Sequence, residues 1–176
     1  VNKTVYEGLR KDAPHKRAMI LTRSGFSGMQ RYAAATWSGD VGNDWETLRR
    51  QIAGGLNQMA SGLPWWTYDA GGFFRPGGQY KDQERFLRWL QASTFFPLMR
   101  VHGYMSQTEP WHYGKEVEDI TAKYIHLRYS MLPYIYSHAA EVSFSGSTLM
   151  RPLVMDFPDD RQALEQKHLF MFGKSL

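Results

Sequence analysis

The sequence predicts an α/β fold with a parallel sheet. Short apolar runs alternate with stretches of helical period, and four strand-and-helix units follow one another without an internal repeat or a low-complexity linker. Strands separated by helices make βα units rather than a sandwich of hairpins. A complete (β/α)8 barrel takes about 250 residues, so a chain of 176 residues has room for half of one. A doubly wound open sheet is the competing architecture. No G-x-G-x-x-G or phosphate-loop motif follows any strand, and Gly25, Gly28 and the Gly71-Gly72 pair have the wrong spacing for one, which favours the half barrel.

The elements read in order as follows. Ala18 to Thr22 is an apolar run bounded by Arg17 and Arg23, a buried strand, and Ala33 to Trp37 is a second strand ahead of Ser38-Gly39-Asp40. From Asn43 the period changes. Trp45, Leu48, Ile52, Leu56 and Met59 share one helical face, Asn43 and Glu46 stand at capping-box spacing, and Gly62 is the stop. Pro64 to Tyr68 is the third strand, Asp82 to Thr94 an amphipathic helix built on Phe86, Leu87 and Leu90, and Phe96 to His102 the fourth strand. A long helix is expected from Val117 to Val142 with Ile120, Tyr124, Leu127, Met131 and Ile135 on one stripe and a kink at Pro133. Thr148 to Phe157 and Leu169 to Phe172 read as strands outside the alternation, the start of a separate β layer. The expected division is therefore residues 1–146 for the partial barrel and 147–176 for the barrel exit and the start of a β-sandwich domain.

Composition narrows the function. Hydrophobic residues make up 43% and charged residues 22%, as in an ordinary globular domain. The net charge of +4 comes from 21 Lys and Arg against 17 Asp and Glu, but the basic residues are scattered among acids. No basic stripe with interleaved aromatics forms a nucleic-acid footprint. Cysteine is absent, which removes disulfides, thiolate metal sites and thiol nucleophiles, and no apolar run is long enough to span a membrane. The first residues, Val1 to Glu7, lack both an initiator Met and a secretory leader, and both ends read as cuts in a longer chain. The six histidines show no H-E-x-x-H spacing, so neither a metal nor a cofactor is expected. G-x-S-x-G is absent as well, which leaves no nucleophile elbow.

In a parallel barrel, reactive residues gather where strands end, because the loops that follow converge on one mouth. Each of the four strands ends in polar residues: Arg23, then Asp40 after Trp37, then Asp69 before Gly71-Gly72-Phe73, then Arg100 and His102. Trp37, Trp65, Trp66 and Phe73 are expected on the same rim. Carboxylates for proton transfer, donors for hydroxyls and flat apolar faces for rings suit sugar chemistry. Each residue also has a structural reading. Asp40 suits a turn in Gly39-Asp40-Val41-Gly42, Asp69 suits a structural pair with Arg23 or Arg100, His102 suits a packed histidine, and tryptophans fill cores.

An ordered set of motifs goes further. Leu21-Thr22-Arg23-Ser24-Gly25-Phe26-Ser27-Gly28, Arg31-Tyr32, Trp37-Ser38-Gly39-Asp40, Asp69-Ala70-Gly71-Gly72-Phe73, Phe96-Pro97-Leu98-Met99-Arg100-Val101-His102 and Arg128-Tyr129-Ser130-Met131-Leu132-Pro133-Tyr134 resemble glycoside hydrolase family 31, the α-glucosidase and α-xylosidase family, from about Arg17 to Phe172. The resemblance implies strands five to eight of a (β/α)8 barrel and a retaining mechanism on an oligosaccharide substrate. It implies that Asp40 is the general acid/base, that Arg23, Asp69, Arg100 and His102 hold the sugar, and that Trp37 and Phe73 line its apolar side. It also implies a nucleophilic aspartate in a tryptophan-x-aspartate-methionine-asparagine motif, which this sequence lacks; the resemblance puts it upstream of Val1 in the remainder of the parent chain. A catalytically incomplete carbohydrate-binding or structural fragment is the alternative. Tyr68 and Ala70 depart from the residues expected beside Asp69, a change that bears on the sugar-binding wall.

Overall fold

The computed structural model describes residues 1–75 and 82–176. Among these, β1 (Ile20–Thr22), β2 (Ala34–Trp37) and β3 (Trp66–Thr67) form a parallel sheet in sequence order. Ile20 faces Ala34 across the first pair, and Thr36 faces Trp66 across the second. The fourth expected strand runs beside β3 but forms only isolated parallel bridges, Ala70 to Val101 and Phe74 to Tyr104. Its first half is taken by a tight turn in which the Phe96 amide bonds Ser93 O, and Pro97 has no amide to give the sheet. The Thr67 hydroxyl replaces that missing link by donating to Leu98 O at 2.9 Å.

Helix α1 (Asn2–Asp12), which the sequence reading did not foresee, buries none of its residues. Val5 and Leu9, one turn apart on it, stay exposed, and Tyr6 packs on Tyr32 with ring centroids 6.1 Å apart. Helix α2 (Trp45–Ala60) crosses from β2 to β3. Its cap is Asp44 rather than Asn43: the Asp44 carboxylate accepts from the Thr47 amide at 2.8 Å and the Thr47 hydroxyl at 2.7 Å, while Asn43 is buried and Glu46 turns to Arg50. The fixed charge of Asp44 makes it the better acceptor at the positive end of the helix. Helix α3 (Gln83–Ser93) is capped in the same way by Asp82, which accepts from the Arg85 amide.

The long C-terminal helix is two helices, α4 (Lys115–Ser130) and α5 (Leu132–Ser145), which meet at Met131. Pro133 falls in the first turn of α5, where its missing N–H costs nothing, so it starts a helix instead of kinking one. The buried face of α4 runs through Val117, Thr121, Tyr124 and Arg128; of the expected stripe, Ile120, Tyr124 and Met131 are half-buried and Ile135 is buried, while Leu127 is rotated outward to 39% exposure. Arg128 sets that rotation by donating to the carbonyls of Thr94, Phe96 and Pro97. Beyond α5, β4 (Met150–Pro152) pairs antiparallel with β5 (Phe170–Phe172). The expected strand to Phe157 is cut at Pro152, because Leu153–Asp156 forms a helical turn, α6, that returns the Asp156 carboxylate to Arg151 at 2.8 Å. A second short helix, α7 (Arg161–Glu165), leads on to β5.

Alternation along β3 and the residues after it sends Trp66 and Tyr68 to the helix side and Thr67 and Asp69 to the other. Trp66, Tyr68, Trp89 and Phe96 make an aromatic core with ring centroids 4.6 to 5.9 Å apart. Each such pair is worth about 0.5–1.5 kcal/mol beyond its buried area. Tyr68 donates its hydroxyl to Trp89 O, so the departure at position 68 alters the helix layer and not a sugar-binding wall. Gly55 lets α2 approach this core, since a Cβ there would overlap the Trp66 ring, whereas a Cβ on Gly54 meets nothing within 4 Å. Neighbouring glycines therefore carry opposite predictions. Gly54→Ala should stabilise by up to about 1 kcal/mol through helix propensity. Gly55→Ala should destabilise by about 1–3 kcal/mol through overpacking, both read from urea unfolding midpoints.

Candidate active site at the strand ends

Parallel pairing puts the C-terminal ends of the strands on one side. Arg23 follows β1 directly, Asp40 lies three residues beyond β2, Asp69 lies two beyond β3, and Arg100 and His102 flank the Val101 bridge. The structure thus brings together all the residues that the sequence singled out, except two tryptophans. Trp66 is 4% exposed in the core, and Trp65 packs against the same cluster; both lie before the strand end and do not reach the rim.

Asp69 is fully buried, with Arg100 Nη1 3.0 Å from its Oδ1. That distance makes an ion pair, but the approach is off the hydrogen-bond direction. Both carboxylate oxygens and Arg100 Nη1 are left without a hydrogen-bond partner among the described residues. A buried carboxylate in this state is costly to the fold, because its acceptor capacity is unmet. Burial holds the Asp69 carboxyl above its ordinary value; Arg100, His102 and Arg75 oppose that rise, and the charge of Asp40 adds to it. Arg100 also lies over the Trp37 ring, 5.5 Å from its centroid, a cation–π contact worth about 0.5–2 kcal/mol.

Asp40 is exposed, and Arg23 Nη1 stands 3.4 Å from its Oδ2. Gly39 makes that pairing possible: its φ is +80°, and a Cβ there would sit 2.6 Å from Arg23 Nε. Phe73 lies beside His102 with centroids 5.4 Å apart and is stacked on Tyr104 at 5.9 Å. Its loop is tied to the one after β2, since the amides of Phe73 and Phe74 both donate to Val41 O at 3.0 Å. Sequence reasoning missed Arg75, which is fully buried beneath this loop and bonded to Ala70, Gly72, His102 and Tyr113. An arginine closing Gly-Gly-Phe-Phe-Arg was the available signal.

Two carboxylates of unlike exposure, two arginines, a histidine and two aromatic rings thus gather where the parallel strands end. Residues 1–138 match the family model described as the glycosyl hydrolases family 31 TIM-barrel domain, and the chain belongs to that family. It is 52% identical over 172 residues to the α-xylosidase of Saccharolobus solfataricus, a match covering 97% of this chain and 23% of that protein. To α-glucosidase 2 of Bacillus thermoamyloliquefaciens it is 37% identical over 179 residues, covering 100% of this chain and 22% of that one. The crystal structure of the family 31 α-xylosidase from Xanthomonas citri superposes with a TM-score of 0.91 at 38% identity, over 98% of this chain and 20% of that one. The chain thus spans about a quarter of the length of the curated relatives it matches. No helix among the described residues is long and apolar enough to cross a membrane.

Gly72 provides a test of how tightly the loops interlock. Its φ is +77°, and a Cβ would lie 2.5 Å from Asn43 Cα and Gly42 O, which are backbone atoms with nowhere to go. Gly72→Ala should cost at least about 2 kcal/mol in urea unfolding, more than the usual value for a helix-interior or surface substitution.

Proposed function

We propose that these residues are strands five to eight of the catalytic barrel of a retaining α-glycoside hydrolase that removes terminal α-linked glucose or xylose from oligosaccharides. In this reading, residues 1–146 belong to the barrel, and 147–176 are its exit and the start of a β-sandwich domain. The observation that carries the proposal is the gathering at the strand ends of an exposed carboxylate, Asp40, paired with Arg23, and a buried one, Asp69, paired with Arg100, whose oxygens have no hydrogen-bond donor among the described residues. The names of the similar proteins, α-xylosidase and α-glucosidase, supply the substrate class.

Asp40 is assigned as the general acid/base. In the first step its carboxylic acid gives a proton to the glycosidic oxygen as the bond to the anomeric carbon breaks. A second carboxylate, about 5 Å away across the sugar, forms the new bond to that carbon. In the second step the Asp40 carboxylate takes a proton from water, the water oxygen attacks the anomeric carbon, and the glycosyl–enzyme bond breaks with net retention. Arg23 orients Asp40 through their contact at 3.4 Å. Arg23, Asp69, Arg100 and His102 are assigned to hydroxyl binding, and Trp37 and Phe73 to the apolar ring face. The attacking carboxylate is assigned to sequence upstream of Val1, because the family's motif for it does not occur in these residues.

In the full-length protein, Asp40→Ala should lower kcat/KM for a disaccharide by at least about 100-fold and for an activated aryl glycoside by far less, because a good leaving group needs little protonation. Equal and mild losses on both substrates would sink the assignment. Asp69→Asn should raise KM about ten- to hundred-fold, the worth of a charge-assisted hydrogen bond to the sugar. Because an ionised Asp69 accepts more strongly than a protonated one and its carboxyl is held above the ordinary 3.8, kcat/KM of the wild type should fall on the acid side at a pH above that value. The 176 residues expressed alone should turn over no aryl α-glycoside, and turnover by the purified isolated chain would refute the assignment of the attacking group.

A further inference from the structure

Arg75 lies behind the proposed sugar site and touches no part of its open face. Its Nε donates to Gly72 O at 2.7 Å, its Nη2 to Ala70 O at 3.0 Å and His102 O at 3.5 Å, and its Nη1 to the Tyr113 hydroxyl at 2.8 Å. The chain is built to admit this group. A Cβ at Gly71 would stand 2.7 Å from Nη2, and one at Gly103 would stand 3.0 Å from Nε, so both glycines vacate the space that the guanidinium fills. A fully buried cation is a poor choice for stability alone, since apolar groups of similar volume serve as well or better.

Its bonds reach two different strands' loops at once. Ala70 and Gly72 belong to the loop that carries Asp69 and Phe73, while His102 lies after the neighbouring strand. We propose that Arg75 is a positioning residue for sugar binding: its planar fork locks these two loops at one separation and fixes a permanent positive charge behind Asp69. The inference rests on the glycosidase reading above and deepens it. The groups that face Asp69 are Arg100, His102, Arg75 and Asp40, and the last is the one that disfavours its ionised form. Without the charge of Arg75 the balance moves toward the protonated carboxyl, which accepts less well from a hydroxyl. Asp69 then binds sugar only at higher pH.

The test uses the full-length protein and an aryl α-glycoside. Arg75→Met should raise KM about ten-fold with a smaller change in kcat, the pattern of lost ground-state binding. It should also move the acid limb of kcat/KM to higher pH. Arg75→Lys, which keeps the charge but not the fork, should restore the acid limb while KM stays raised. Tyr113→Phe, which preserves the stacking on Phe86 at 4.2 Å and removes only the hydroxyl that holds Nη1, should raise KM about two- to five-fold. A residue that served the fold alone would lower the active fraction, hence apparent kcat, and leave KM and the acid limb in place. That result in folded Arg75 variants overturns the proposal. If Arg75→Met does not accumulate, an unchanged KM in Tyr113→Phe overturns it. A wild-type protein without turnover sinks the glycosidase reading and this inference together, whereas an active wild type with indifferent variants sinks the Arg75 assignment alone.

Discussion

Parallel pairing is the constraint on which the rest of the molecule depends. When Ile20 faces Ala34 and Thr36 faces Trp66 with all strands running one way, every strand must end on the same side, and every return must cross back over the sheet, through a loop with one helical turn at Met29–Tyr32 after β1 and through α2 after β2. The chain cannot place Arg23, Asp40, Asp69 and His102 apart without breaking that register. A slip of one residue in β3 would exchange Trp66 with Thr67 and drive Asp69 into the aromatic layer under α2 and α3. The bulky core residues therefore oppose the alternative register, and the strand pairing sets where the site forms.

At the mouth, backbone atoms approach closely and charges are buried with few donors. Gly39 yields space to Arg23, Gly72 to the backbone of Asn43, and Gly71 and Gly103 to Arg75. These substitutions of hydrogen for a methyl group bring the loops together in a way that side chains could not. Asp69 bears the opposite strain, an electrostatic one: its buried oxygens have no donor among the described residues. Sites that must receive a polar ligand tend to forgo internal satisfaction in this way, and the stability lost there is offset by the aromatic core nearby.

Much of this was legible in the sequence because the signals were local or periodic. The positions of β1, β2, β3, α2 and α3 follow from apolar runs and one-sided helical faces, and the strand-end residues follow from what comes next. The failures are physical and specific. The fourth strand, expected over Phe96 to His102, shrinks to isolated bridges because Pro97 has no amide to give and a side chain, Thr67, supplies a link in its place. The expected stripe fails at Leu127, because the neighbouring Arg128, a charged residue, points inward to carbonyls that lie more than thirty positions earlier. Asp44 displaced Asn43 as the cap because Asn43 is buried against Gly72, a neighbour visible only in three dimensions. Arg75 escaped notice for the same reason: its partners come from three separate segments, and no spacing rule connects them.

Arg128 has one more consequence. Helix α3 has no basic residue in its last turn, and its terminal carbonyls, with those of the turn that follows, receive their cation from α4 instead. A helix end that borrows its counter-charge from another helix cannot fray by itself. Loosening the end of α3 releases α4, and peeling α4 away uncaps α3, so the two should exchange their amide protons with solvent as a single cooperative block rather than melt from separate tips.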